Sequence, residues 1–580
     1  MSLRLDRANT IIDCLEYYAD ICEDKDAYIF LTDGESQAVH MSYKQLHTRA
    51  TALAQVLEAR KLSGKTVLLL YPAGLEFLVS FIACLYAGAI AVPANLARNS
   101  RHFVRLKNIM LDSNCAAVLT LPTFQDTIRS NLALAGVDMQ HIAIVSEEDS
   151  APQQSAAAFT VTPDAIAFIQ YTSGSTGHPK GVIVTHANLI ANERAIQQSS
   201  NLPEFMVGAG WLPQFHDMGL IGNLLQPMAV GGTYIFMSPL HFIQAPLRWI
   251  KMLSTYRAHA SAAPCFALEM CVAAAKDGID PNWDLSAMGT IFCGAEPINQ
   301  RILERFQTCF AHIGMPADAV KPCYGMAETT LIISGGLPSE AERSLKIDRD
   351  ALQCGNVVLQ DNTTENEHKV QDIVCCGTPV NGHEIIVVCP ETQQICLDNA
   401  IGEIWCRGPS ITTGYWQKPE ATAHTFHAFT ACGQGPWLRT GDLGFKHKDG
   451  LYVTGRIKEI MILRGKNHYP HDIENTINTV FANHNMKVQT AVFMEHESSS
   501  QAGIVAIAEL PRRVDDQAVE LFQKLTHLAR QHVSQEHDLL LKDTLIVKHG
   551  SIPRTSSGKV QRLLCARLYQ SGDIQAQPLI

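Results

Sequence analysis

The chain has 580 residues, 46% of them hydrophobic and 18% charged, with a formal net charge of −11. That length exceeds one hydrophobic core, so two or more domains are expected, and the composition excludes a largely disordered chain. The acidic balance excludes a global electrostatic footprint for nucleic acid or an anionic membrane. The 17 cysteines form an odd set with no C-x-x-C pair, and Cys375, Cys376, Cys389, Cys396 and Cys406 lack zinc spacing. Reduced thiols and a cytoplasmic location are expected. Residues 1–20 mix charged with apolar residues and hold no signal-peptide core.

In chain order, residues 43–60 read as an amphipathic helix, 66–71 as a buried strand, 75–86 as an apolar helix and 89–92 as a short buried strand. The uncharged run from Phe77 to Ala97 reaches transmembrane length. Gly88, Pro93 and Asn95 interrupt it and Glu76 and Arg98 flank it, so the expectation is a buried helix and strand, with no transmembrane segment. Residues 118–120, 142–145 and 165–169 read as further strands, with a polar connector over 146–163. This alternation argues for an α/β fold with parallel-rich sheets and covering helices.

Residues 339–374 hold 12 Asp, Glu, Lys and Arg among 36 residues, plus the turn signal Asp361-Asn362-Thr363-Thr364. They read as an exposed excursion. From near Arg464, helical spacing over 514–533 and a strand-like run over 539–547 suggest a separate α+β unit. The expected division is a large domain over 1–463 and a small one over 464–580.

The strongest local signal follows the strand at 165–169. Thr172, Ser173, Gly174, Ser175, Thr176 and Gly177 offer N–H groups and hydroxyls that can converge on a polyphosphate, and Lys180 adds a point charge. The Walker spacing is absent. Further along come Trp211-Leu212-Pro213-Gln214-Phe215-His216-Asp217-Met218-Gly219, Gly294-Ala295-Glu296-Pro297 and Tyr324-Gly325-Met326-Ala327-Glu328-Thr329. Then follow Arg439-Thr440-Gly441-Asp442-Leu443-Gly444, Gly455-Arg456-Ile457-Lys458-Glu459 and Pro553-Arg554-Thr555-Ser556-Ser557-Gly558-Lys559.

This series, in this order and across essentially the whole chain, resembles the acyl-adenylate-forming superfamily of acyl-CoA ligases, nonribosomal peptide adenylation domains and firefly luciferase. The resemblance implies ATP and Mg2+ as cofactors and a small C-terminal domain that rotates on the large one. Adenylation sets a carboxylate against a phosphate, so cations and donors must stabilise the transition state. Glu328 is the natural magnesium ligand, a hard carboxylate beside phosphates. Asp442, in a Thr-Gly-Asp turn, can accept both ribose hydroxyls, and Arg456 would help hold the ribose. By resemblance Gly294, Ala295, Glu296 and Tyr324 flank the adenine, Tyr324 stacking on it, with Gly325, Met326 and Ala327 in the same nucleotide-binding run. His216 would lie near the acyl carboxylate. Lys559 would bridge the α-phosphate and that carboxylate, and Glu459 occupies the hinge position.

Within the superfamily, Gln214 to Gly219, the run Leu463-Arg464-Gly465-Lys466-Asn467-His468-Tyr469-Pro470 and the 339–374 excursion resemble the fatty acyl-AMP ligases. That branch implies a medium- or long-chain fatty acid substrate. It also implies transfer of the acyl group to the phosphopantetheine of an acyl carrier protein or a polyketide or peptide synthase. No carrier motif follows Lys559, so a separate acceptor protein is expected. The inserted segment would impede the domain movement that CoA thioesterification requires, with Val357, Val358 and Leu359 as its expected apolar contacts. A medium- or long-chain acyl-CoA ligase and a nonenzymatic acyl or nucleotide sensor remain open as alternatives; Glu328, Asp442 and Lys559 together argue against the sensor.

Overall fold

The structure is a computed structural model. It describes residues 4–96, 100–140, 142–149, 161–172, 179–336, 342–360, 369–463, 465–484, 486, 488–495, 503–510, 516–555 and 558–574. Two parallel-rich sheets dominate the first 330 residues. One runs in the order Ala143–Val145, Ala117–Leu119, Thr66–Tyr71, Ile90–Asn95, Ile166–Thr172 and Lys180–Thr185, with only the last strand antiparallel to its neighbour. The other runs Val320–Pro322, Thr290–Cys293, Ala260–Ala263, Val207–Gly210, Thr233–Met237, Asp26–Leu31 and Ala38–Ser42, again antiparallel only at its end.

Helices fill the space between these sheets. Tyr43–Ala59 starts at a capping box between Ser42 and Gln45 and buries Leu46, Ala50, Leu53 and Leu57, a helical stripe. Apart from Glu76 and Ser80, Leu75–Tyr86 is apolar and therefore buried: Leu75 and every residue from Phe77 to Leu85 are inside. Its core joins Val67, Leu69 and Phe168 of the first sheet to Tyr28, Tyr234 and Phe236 of the second. The strand after it runs on to Asn95 rather than ending at residue 92. Pro93 is tolerated there because the ladder to Thr66–Tyr71 continues, while pairing to Ile166–Thr172 occurs at Ala91–Phe168, before the missing N–H. Among the described residues, no helix is long and apolar enough to cross a membrane.

A third, antiparallel sheet joins Glu384–Val388, Gly402–Arg407, Leu438–His447 and Gly450–Arg456. Beyond it, Gln489–Glu495, Gly503–Glu509 and Asp543–Val547 form a three-stranded sheet. Pro470–Asn483 and Asp516–His537 cover one face and Arg562–Gln570 the other, and neither of these two cores includes a buried residue of the earlier sheets. Its last strand begins at Asp543, later than residue 539, because Leu539 and Leu541 bury against the helices without joining the ladder.

The charged excursion is not simply exposed. Ser344–Asp348 pairs antiparallel with Val370–Val374. Leu345, Ile347, Leu352 and Ile373 form a buried cluster with Phe445, Tyr452 and Tyr469. Of the expected apolar contacts only Val357 packs on this cluster; Val358 and Leu359 are 48% and 44% exposed. The turn at 361–364 lies outside the described residues.

Candidate active site

The predicted motifs converge because four of them leave the carboxyl ends of parallel strands, where open α/β sheets bind ligands. Thr172 ends one strand of the first sheet, and Thr290–Cys293 leads directly into Gly294. Val207–Gly210 leads into the His216 loop and Val320–Pro322 into the Tyr324 run. Thr172 is paired with Lys180, so the two strands bracket the phosphate-loop segment. Ser173, Gly174, Ser175, Thr176 and Gly177 lie outside the described residues.

The His216 loop is held from both sides. Gln214 exchanges two hydrogen bonds with the Gly74 backbone, at 3.0 and 2.8 Å, at the head of the buried helix. Gln170 Nε2 donates to Phe215 O at 3.1 Å. His216 Nδ1 lies 2.6 Å from Asp217 Oδ1, which also accepts from Met218 N at 2.7 Å and so caps the π-helix Met218–Leu225. Burial alone would raise the Asp217 carboxyl; His216, Lys559 and the Met218 amide outweigh it and hold it at about 2. This fixes which ring nitrogen of His216 is engaged and leaves Nε2 for a substrate.

Glu328 sits on a 3₁₀ turn, Ala327–Thr329, and is 7% exposed. The turn is tight: a Cβ on Gly325 would fall 1.7 Å from Leu331 O, and Thr330, fully inside, has φ 69° and ψ −60°. Thr329 Oγ1 closes it by accepting from Met326 N at 3.1 Å. Tyr415, which no motif singled out, donates its hydroxyl to Glu328 Oε1 at 2.7 Å. Burial pushes the Glu328 carboxyl above the usual range, against the Tyr415 hydrogen bond and Arg456. A buried carboxylate with one oxygen tied to Tyr415 keeps the other as a ligand suited to a hard divalent cation. Lys180 places its ammonium 4.5 Å from the centre of the Tyr415 ring. Desolvation, with Lys458 and Lys418 nearby, lowers its pKa.

Asp442 and Arg456 are register partners in the third sheet, and Arg456 Nε donates to Asp442 Oδ1 at 2.7 Å. Tyr324 donates its hydroxyl to Asp442 Oδ2 at 2.8 Å. The tyrosine expected to form an adenine platform therefore also orients the Asp442 carboxylate. Ala295 adopts φ +70°, an uncommon conformation for a residue with a Cβ, beside Gly294, whose added Cβ would meet Cys323 O at 2.9 Å. Glu296 accepts from Phe266 N at 2.7 Å, securing the start of the helix Cys265–Ala274.

Lys559 follows the last sheet in the chain. It sits on a hairpin in which Thr555 N donates to Lys559 O at 2.8 Å and Lys559 N donates to Thr555 Oγ1 at 3.1 Å. Desolvation lowers its pKa; Asp217, Glu296 and Asp442 pull it upward and Arg456 pushes it down. The residue remains exposed, so water in the cleft screens these effects. Asp217, Glu296, Asp442 and Arg456 are thus the charges that act on Lys559. Glu459 accepts from Arg562 Nη1 at 2.6 Å, and Arg562 also pairs with Glu474 at 2.7 Å, which ties Glu459 to the C-terminal helix.

Comparison with known proteins agrees with this arrangement. Residues 15–416 match the AMP-binding enzyme family, and residues 458–578 match the Disco-interacting protein 2-like AMP domain. A medium-chain fatty acid–acyl-carrier-protein ligase of Moorena producens is 36% identical over 98% of this chain and 96% of its own. A long-chain fatty acid–AMP ligase of Mycobacterium tuberculosis is 34% identical over 96% of each chain. The crystal structure of a fatty acyl-adenylate ligase from L. pneumophila, in complex with acyl adenylate and pyrophosphate, superposes with a TM-score of 0.73 at 32% identity and covers 98% of both chains.

Proposed function

We infer the reaction from one premise: this chain belongs to the AMP-binding enzyme family, among the fatty acyl-AMP ligases. It activates a medium- or long-chain fatty acid with ATP, releases pyrophosphate and holds the fatty acyl-AMP. The acyl group then passes to the phosphopantetheine of a separate carrier protein or synthase, in the cytoplasm. The observation that carries this reading is the Asp442 carboxylate, held by Arg456 Nε at 2.7 Å and by the Tyr324 hydroxyl at 2.8 Å, at the strand ends that also deliver Gly294 and the His216 loop. Lys559, which feels the charges of Asp217, Glu296, Asp442 and Arg456, would supply the cation where a carboxylate and an α-phosphate meet.

Each residue then has a task. Asp442 and Arg456 hold the ribose. Gly294, Ala295 and Tyr324 to Ala327 line the base. Thr172, Lys180 and the segment between them take the β- and γ-phosphates. His216, oriented by Asp217, turns Nε2 toward the fatty acid. Glu328 would hold Mg2+, which when bound supplies positive charge to the phosphates. The carboxylate attacks the α-phosphorus, the bond to the bridging oxygen breaks, and pyrophosphate leaves with that electron pair. Lys559 stabilises the charge gathered in between. We place the division between the catalytic body and the rotating C-terminal unit near residue 463, next to Glu459.

Pyrophosphate exchange with a panel of acids tests this. Each buried methylene is worth ~0.8 kcal/mol, so exchange should rise from acetate to medium and long chains. Equal exchange with acetate and a long-chain acid would refute the fatty acyl assignment.

A further inference from the structure

The loop after Gly402–Arg407 returns to the strand that follows the phosphate loop. Ile183 N donates to Gly414 O at 3.0 Å and Trp416 N to Gly181 O at 2.7 Å, with Val182 and Tyr415 in an antiparallel bridge. Gly414, at φ +144°, makes this return possible, since a Cβ there would strike Thr422 at 2.4 Å. Tyr415 is 6% exposed and fixed on every side. Its N–H donates to Thr422 Oγ1 at 3.0 Å, and Phe426 meets its ring edge-on at 5.2 Å and 77°. On the ring face lies the Lys180 ammonium; at the ring's far end the hydroxyl reaches Glu328. Thr412 N also donates to Glu328 O at 3.0 Å, so the same loop holds both the backbone and the side chain of Glu328.

We propose that Tyr415 is the positioning residue of the phosphate end of the site: its hydroxyl fixes the rotation of the Glu328 carboxylate so that Oε2 can take the Mg2+ of the nucleotide, and its ring face fixes the Lys180 ammonium for the leaving phosphates. This rests on the reading of Glu328 as the metal ligand. A carboxylate tethered through one oxygen offers the other in one orientation. A lysine otherwise free to sample many rotamers loses that freedom when its charge rests on an aromatic face. One immobile ring therefore sets the spacing between the two groups that must meet the same polyphosphate.

Equilibrium ATP binding to the full chain, measured with excess Mg2+ and again in EDTA, separates the parts. The parent should bind ATP more tightly with Mg2+, and Glu328→Gln should remove that gain. Tyr415→Phe keeps the ring and should bind ATP in EDTA like the parent while losing about tenfold of the Mg2+ gain, the effect of one hydrogen bond to a charged group. Tyr415→Leu should also weaken binding in EDTA, and Lys180→Met should then add little, although it weakens the parent. Melting curves accompany each variant; where Tyr415→Leu does not fold, Tyr415→Phe decides, because it removes a single oxygen. A Mg2+ gain lost in Glu328→Gln but kept in Tyr415→Phe overturns this inference alone. A gain that survives Glu328→Gln overturns it together with the metal assignment beneath it.

Discussion

Arg349, on the charged excursion, donates Nη1 to the backbone oxygen of Glu536 at 3.1 Å and lies 3.5 Å from its carboxylate. The two side chains are 13% and 20% exposed, so this pair is shielded more than a surface ion pair. It connects the segment after the Glu328 turn to the helix Asp516–His537, which covers the C-terminal three-stranded sheet in the unit that carries Lys559.

That contact should favour the orientation with Lys559 turned inward. A difference of about 1.4 kcal/mol shifts such an equilibrium tenfold. Arg349→Ala should therefore raise acyl-CoA formation with free CoA severalfold and leave pyrophosphate release largely unchanged. Deleting the excursion would be a poorer probe, because Leu345, Ile347 and Ile373 cover Phe445 and Tyr452. Unchanged thioester yield in a well-folded Arg349→Ala chain would remove the latch from the account.

The same contact should be sensitive to acid. His537 is 3% exposed, with Nε2 2.8 Å from Thr476 Oγ1. Burial, then Arg349 and His468, lower its pKa from 6.5 to about 3; the neighbouring Glu536 carboxylate bonds Thr476 Oγ1 at 2.9 Å. The unfolded chain binds this proton first, so the stabilisation is complete above pH 6.5 and declines as pH falls toward 3. The slope contributed is up to about 1.4 kcal/mol per pH unit. Melting temperatures between pH 7 and 4 should fall less steeply in His537→Gln than in the parent. Parallel curves would show that His537 does not titrate as described.

Lys559→Ala should lower the adenylation rate by about 10²–10³, the usual effect of removing one transition-state donor, with little change in ATP binding. Lys180→Ala should be milder, since backbone donors share its task. Normal adenylation by Lys559→Ala would remove it from the chemistry.

Backbone geometry makes a paired prediction. Gly325→Ala sets a Cβ against the Leu331 carbonyl and should destabilise the chain by more than about 2 kcal/mol or prevent folding. Ala295→Gly relieves a positive φ and should raise stability by about 0.5–1 kcal/mol. Chemical denaturation reads both, and a stable Gly325→Ala would contradict the tight turn at Glu328.

Much of this was legible in the sequence where short-range pattern and burial agree. The apolar helix Leu75–Tyr86, the strands around it and the order of the motifs are of that kind. The buried face of the excursion is not legible because composition averages over an alternating strand. Ser344–Asp348 turns Leu345 and Ile347 inward and Lys346 outward, so charge density hides an apolar face. Tyr415 left no local signal at all. Its partner Glu328 lies 87 residues away, and only the return of the Gly414 loop brings them together. Tyr324 was read for its ring, while its hydroxyl bond to Asp442 spans 118 residues.

The most direct test is mass-spectrometric analysis of the full chain incubated with ATP, Mg2+, dodecanoate and free CoA. The account predicts pyrophosphate and enzyme-bound dodecanoyl-AMP, with little dodecanoyl-CoA. Dodecanoyl-CoA as the main product would contradict it and identify an acyl-CoA ligase instead.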